Sequence, residues 1–151
     1  MRNHVENLLA SHTSCPKWYT WETVDSAPTE KGSYILLIFL NSPITLHHRK
    51  LGQHILPAGY YLYAGSANGG GGIRARVKRH LSPTKKIHWH IDYLTTHGAE
   101  ISCLCFPSDN ECRLITTLSK SETCIAPIPG FGSSDCKTCS SHLLQITKLT
   151  I

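Results

Sequence analysis

Gly32-Ser33-Tyr34-Ile35-Leu36-Leu37-Ile38-Phe39-Leu40 decides the fold. From Tyr34 to Leu40 the chain is nearly all apolar and rich in β-formers, which predicts a central, buried strand. Asn41-Ser42-Pro43 predicts a turn after it, and Ile44 to His48 a second strand. Pro57-Ala58-Gly59 leads into a third strand over Tyr60 to Tyr63, and the stretch Ser66 to Gly72 is expected to break it. Ile73, Val77 and Leu81 then recur at helical spacing, which predicts a helix with those residues on the core side and Pro83 at its end. Further along, Lys85 to Leu94 reads as a loop entering a short helix with Ile91 and Leu94 inward. Glu100 to Phe106 reads as a strand. Ser108-x-x-Glu111 has capping-box spacing and opens a helix to about Lys120. Thr123 to Ile125 and His142 to Ile146 complete the strands. Ahead of Gly32, Asn3 to Ala10 predicts a short helix, and Trp18, Tyr19 and Trp21 a flap packed on the domain.

Composition limits what such a chain does. Its 151 residues are enough for one domain with a real core. With 40% hydrophobic and 17% charged residues it is globular, not disordered. A net charge of +5, with ten histidines in reserve, suits a polyanionic partner. The charge gathers in two clusters. His47, His48, Arg49 and Lys50 read as a solvated face. Arg74, Lys78, Arg79, Lys85 and Lys86 border the second tyrosine–glycine segment and are the expected phosphate contacts. No apolar stretch is long enough to span a bilayer, so no membrane partner is expected. Seven cysteines, an odd count, argue against a closed disulfide framework and for a reduced, cytoplasmic protein.

Two triplets, Gly32-Ser33-Tyr34 and Tyr63-Ala64-Gly65, supply two phenols from two strands. A phenol is a poor base at neutral pH, with a reference pKa near ~10, and becomes useful beside cations, a metal or an imidazole. Arg76 and His80, four apart on the next helix, share a face that presents both groups. Gly69 to Gly72 lack a following Lys-Ser/Thr pair and are no nucleotide-binding loop. Glu111 is either a helix cap or a hard oxygen ligand for a divalent cation. Cys136-x-x-Cys139 is half of a structural zinc site, with Cys103, Cys105, Cys112 and His142 as candidates to complete it. Buried free thiols are the simpler reading. His88, His90 and Asp92 read as a loop held by hydrogen bonds.

These segments together resemble the GIY-YIG nucleases, with Gly-Ser-Tyr and Tyr-Ala-Gly as the two signature triplets. The likeness is closest to the small Uri-type branch, found alone or fused to DNA-repair domains, and spans roughly residues 32–146. It is carried by residues 59–67, Arg76-x-x-x-His80, 88–94, 130–136 and 141–143. The resemblance implies an α+β fold, a small central antiparallel β-sheet flanked by helices, over a domain of residues 32–151 behind an N-terminal extension of 1–31. It implies Mg²⁺- or Mn²⁺-dependent hydrolysis of DNA phosphodiesters. Residue by residue, Tyr34 and Tyr63 match the paired tyrosines, Arg76 the essential arginine, His80 the histidine one turn later, and Glu111 the metal ligand. The expected mechanism has one tyrosine, assisted by His80, preparing a water, while Arg76 neutralises charge on the phosphate. A catalytically weak DNA-binding module is the alternative. A zinc-dependent nucleobase deaminase is the lesser one, on the echo of His90-Ile91-Asp92 and Cys136-x-x-Cys139.

Overall fold

A computed structural model describes residues 1–133 and 136–148. Asp135, part of the 130–136 segment, and the last three residues of the expected domain lie outside them. The chain folds as α1 (Arg2–Leu8), β1 (Trp18–Tyr19), β2 (Gly32–Leu40), β3 (Ile44–His48), β4 (Gly52–Leu56), β5 (Gly59–Ala67), α2 (Gly72–Leu81), α3 (Ile91–His97), β6 (Glu100–Pro107), α4 (Glu111–Ser119), β7 (Cys124–Ile125) and β8 (Leu143–Ile146). The class is α+β. One six-stranded sheet runs β1-β6-β2-β5-β8-β7, and every pairing in it is antiparallel.

The apolar run of β2 is explained by its place. It is paired along its whole length, with β5 on one side and β6 on the other, and both its faces are covered. Alternation along the strand divides the side chains between two cores. Tyr34, Leu36, Ile38 and Leu40 pack with Ile73 and Val77 of α2 and Ile91 and Leu94 of α3. Ile35 and Leu37 pack on the other face with Val5 and Leu9 and with Leu114, Ile115 and Leu118 of α4. The sheet is therefore sandwiched, with α2 and α3 on one side and α1 and α4 on the other.

Several local expectations change. β5 does not break at Ser66; Ser66 and Ala67 still pair with Ser33 and Gly32. β4 carries no apolar run because it pairs only with β3, in a separate two-stranded hairpin. The segment before Gly32 is built into the sheet through β1, with Tyr19 buried and opposite Cys103, while Trp21 stays exposed. Ser108 is not the cap of α4. It adopts a positive φ of 63°, and Asn110 takes the role, its side chain accepting from the Cys112 and Arg113 N–H groups at 2.8 and 3.3 Å. Among the described residues no helix is long and apolar enough to cross a membrane.

One asymmetry positions the site. Along β5, β8 pairs only with Tyr60–Tyr63. Beyond Tyr63 the last residues of β5 have no strand on that side, and the first turn of α4 reaches the cavity that opens there.

Candidate active site

The two glycine–tyrosine triplets are a single packing unit. In the β2–β5 ladder Tyr34 stands opposite Gly65. Any Cβ at Gly65 would overlap the Tyr34 hydroxyl, so the second triplet must end in glycine for the first to keep its phenol. Gly32 is constrained likewise: a Cβ there would lie 2.5 Å from the Phe106 carbonyl oxygen.

Tyr34 is buried, and its hydroxyl lies 2.7 Å from Nε2 of the equally buried His80. The other ring nitrogen, Nδ1, is buried without a hydrogen-bond partner among the described residues, 4.0 Å from Asp92 Oδ1. A carboxylate on that side favours the tautomer protonated at Nδ1. The Tyr34 hydroxyl then donates to Nε2. Asp92 is itself held from four sides. Arg79 donates two hydrogen bonds to it at 2.9 and 2.7 Å, and the His88 and Trp89 N–H groups add two more at 2.8 and 2.9 Å. Burial alone would raise its carboxyl, but these donors outweigh burial and hold it at about 2. The guanidinium groups of Arg76 and Arg79 both sit over the Trp89 ring, 4.5 and 4.4 Å from its centroid.

The electrostatics keep the two phenols and the imidazole uncharged. Burial, and next the cation of Lys85, push His80 down to about 3, against the pull of Asp92. Burial lifts Tyr34 well above the ordinary phenol value and Tyr63 to about 12, with Arg76 opposing in both. At neutral pH the site holds two protonated phenols and a neutral imidazole whose Nε2 accepts from Tyr34. Of the two phenols, Tyr34 alone is hydrogen-bonded to that imidazole among the described residues; the Tyr63 ring stands edge-on to it with centroids 6.4 Å apart.

Glu111 comes from the opposite helix layer. With Asn110 as the cap, its carboxylate is not spent on the helix terminus. It is half-buried, with the Ser33 hydroxyl 3.5 Å away. Tyr34, Tyr63, Arg76, His80 and Glu111 line one cavity of about 370 Å³ with Trp89 and Lys137. An adjoining hollow of about 570 Å³ shares Tyr63 and Trp89 and is walled by His48, Arg49, Lys50 and His90. Sequence reading missed Lys137 and left the first basic cluster away from the site, because neither carries a local pattern.

Four of the five expected phosphate contacts have partners within the protein. Arg74 donates from Nε to the Ala27 carbonyl at 2.7 Å, and Lys78 pairs with Asp25 at 2.7 Å. Arg79 is engaged by Asp92. Lys85 donates to the His80 carbonyl and, at 2.9 Å, to the Thr95 hydroxyl. Lys86 is exposed, and its carbonyl accepts from Arg79 at 3.0 Å. Among the described residues no carboxylate pairs with Arg49, Lys50, Arg76 or Lys137.

Beside Glu111 lies a second set of donors. Cys112, Cys136, Cys139 and His142 bring one ligand atom each to within 4.8 Å of all the others. Cys136 and Cys139 are half-buried, not sealed in a core, and Cys103, a candidate partner, is buried elsewhere in β6. His90 stacks on His48 at 3.7 Å and is not one of the four, so the deaminase pattern does not assemble.

A family model described as "Domain of unknown function DUF123" matches residues 33–150. No curated protein and no solved structure matches the chain.

Proposed function

The chain belongs to the DUF123 family, and on the geometry of its cleft we propose that it is a divalent-metal-dependent DNA endonuclease of the GIY-YIG type. One observation carries the proposal: residues from five separate elements, β2, β5, α2, the loop before α3 and the start of α4, converge on one cavity, with a phenol hydrogen-bonded to a neutral imidazole.

The residues fit a hard cation. Glu111 offers an ionisable carboxylate at the cavity wall with a hydroxyl nearby, an oxygen donor set suited to Mg²⁺ or Mn²⁺ that keep most of their waters. Bound by Glu111, the ion would supply charge stabilisation to the phosphate and the leaving 3′ oxygen. The remaining work falls to the chain. Tyr34 takes a proton from the attacking water as its own hydroxyl proton passes to Nε2 of His80. The water oxygen bonds to phosphorus, the bond to the 3′ oxygen breaks, and that oxygen takes a proton from solvent. The products are a 3′ hydroxyl and a 5′ phosphate. Asp92, fixed by Arg79, steadies the imidazolium so formed from the Nδ1 side. Arg76, stacked on Trp89, is aimed at the charge developing on the phosphate. Arg49, Lys50 and Lys137 offer the duplex a basic track along the two adjoining hollows. A reducing, cytoplasmic setting suits the seven free thiols.

The test is nicking of supercoiled plasmid in Mg²⁺, Mn²⁺ or Ca²⁺, with flap, single-stranded and damaged substrates in parallel. Cleavage that requires Mg²⁺ or Mn²⁺ and disappears in Tyr34→Phe supports the proposal. Folded protein that binds DNA but leaves every substrate intact identifies a binding module instead.

A further inference from the structure

We propose that Cys112, Cys136, Cys139 and His142 bind one zinc ion as a closed tetrahedral site next to the cleft. The geometry is the first reason. Zinc bonds of about 2.3 Å to sulfur and about 2.0 Å to nitrogen put the ligand atoms of a tetrahedron roughly 3.5–3.8 Å apart. Here Cys112 Sγ lies 3.1 Å from Cys136 Sγ and 3.7 Å from His142 Nε2, and no pair in the set exceeds 4.8 Å. Such convergence of four donors from three places in the chain is not needed for packing.

Donor chemistry is the second reason. Three thiols and an imidazole are soft and borderline ligands; they select zinc and reject Mg²⁺. Four protein ligands leave no open position, which marks a structural ion rather than a catalytic one.

The third reason is that hydrogen bonds to the backbone hold the ligands in place. The Asn110 side chain accepts from the Cys112 N–H at 2.8 Å. The Cys139 N–H donates to Cys136 Sγ at 3.3 Å, the outer hydrogen bond that eases negative charge on a ligating sulfur. The His142 N–H donates to the Phe131 carbonyl at 2.8 Å, and its own carbonyl accepts from Ala64 at 3.0 Å. A Cys112–Cys136 disulfide would satisfy two of the four groups and leave Cys139 and His142 without a purpose.

The location gives the ion a job. Cys112 follows Glu111 directly, and Cys136 and His142 line the same cavity as Tyr63. The zinc ties the first turn of α4 to the segment that leads into β8, and so fixes the wall of the cleft. Nothing in this assignment depends on what the cleft does.

Elemental analysis of the folded protein, purified without a metal-affinity resin and dialysed, should find zinc near one per chain. X-ray absorption should give three sulfurs and one nitrogen around it. Cobalt substitution should produce sulfur-to-cobalt charge transfer and tetrahedral visible bands. Cys112→Ser, Cys136→Ser, Cys139→Ser and His142→Ala should each bring the zinc toward zero, while Cys15→Ser, Cys124→Ser and Glu111→Ala keep it. Where a ligand variant does not fold, the absorption spectrum of the wild-type protein decides. Folded wild-type protein that takes up no zinc, a Cys112–Cys136 disulfide found by mass spectrometry, or zinc retained by every folded ligand variant would overturn the assignment. None of these readouts uses DNA cleavage, so an inactive protein that holds zinc leaves it standing.

Discussion

Tyr34→Phe and Tyr63→Phe remove the same atom from a buried and a half-buried phenol, and their effects on stability should differ sharply. The Tyr34 hydroxyl is the hydrogen-bond partner of His80 Nε2, in a place where both side chains are 2% exposed or less. Nδ1 of that ring already lacks a partner. Without the phenol the imidazole is left dry at both nitrogens, and stranding a buried polar group costs about 1–3 kcal/mol. The upper part of that range applies, about 2–3 kcal/mol, because no second hydrogen bond anchors the ring. Tyr63 has no hydrogen-bond partner among the described residues, so its substitution should cost less than about 0.5 kcal/mol. Urea unfolding followed by circular dichroism measures both. His80→Leu placed in the Tyr34→Phe background should recover most of the loss, since two apolar side chains replace a pair. Plasmid nicking should behave otherwise and fall by orders of magnitude in both single variants. A Tyr34→Phe protein as stable as Tyr63→Phe would mean that the imidazole is wet and the pair is not formed.

Glu111→Ala should abolish nicking, leave DNA affinity near normal and cost at most about 1 kcal/mol of stability, because Asn110 still caps the helix; normal turnover would remove Glu111 from metal binding. Between pH 6.5 and about 3 an unfolded His80 takes up a proton that the folded one refuses, so stability should fall as pH falls, by up to about 1.4 kcal/mol per pH unit. In His80→Gln that component should vanish, and identical profiles for the two proteins would show that the buried ring titrates normally. Neutralising Arg49, Lys50 and Lys137 should flatten the salt dependence of DNA binding by about 0.9 in log–log slope per lost phosphate contact. Neutralising Arg74 and Lys78, which already have partners, should flatten it far less, and the reverse result would put the duplex on the other face of α2.

Legibility in the sequence follows how local each cause is. β2 is readable because burial on both faces demands an unbroken apolar run, and α2 because Ile73, Val77 and Leu81 face one core. β4 is unreadable since a two-stranded hairpin demands little of Gln53 or His54. Ser108 misled because capping boxes are recognised by spacing, whereas φ at Ser108 is set by the chain leaving β6 beside Lys31, whose carbonyl accepts from its N–H at 3.1 Å. Tyr34, Tyr63, Arg76 and His80 were legible through the triplets and the helix that follows them, and Glu111 through the family resemblance. Asp92 was legible as part of a loop held by hydrogen bonds, which the His88 and Trp89 N–H groups donate to it; its place behind His80 was not, because that depends on Arg79 reaching across from another helix. Cys112 was nameable as one candidate among several, but only folding brings α4 to the Cys136-x-x-Cys139 turn.

Because the sheet divides the interior in two, the groups of the cleft have separate foundations. Tyr34 and His80 stand on the core beneath α2 and α3, while Glu111 stands at the head of a helix seated on the opposite core. They meet only past the free end of β5, like jaws mounted on different beds. Drift in the seating of Leu114 or Leu118 resets one jaw without loosening the other. The placement of the tyrosine–histidine pair and that of the Glu111 carboxylate can therefore be tuned by separate sets of distant hydrophobic residues.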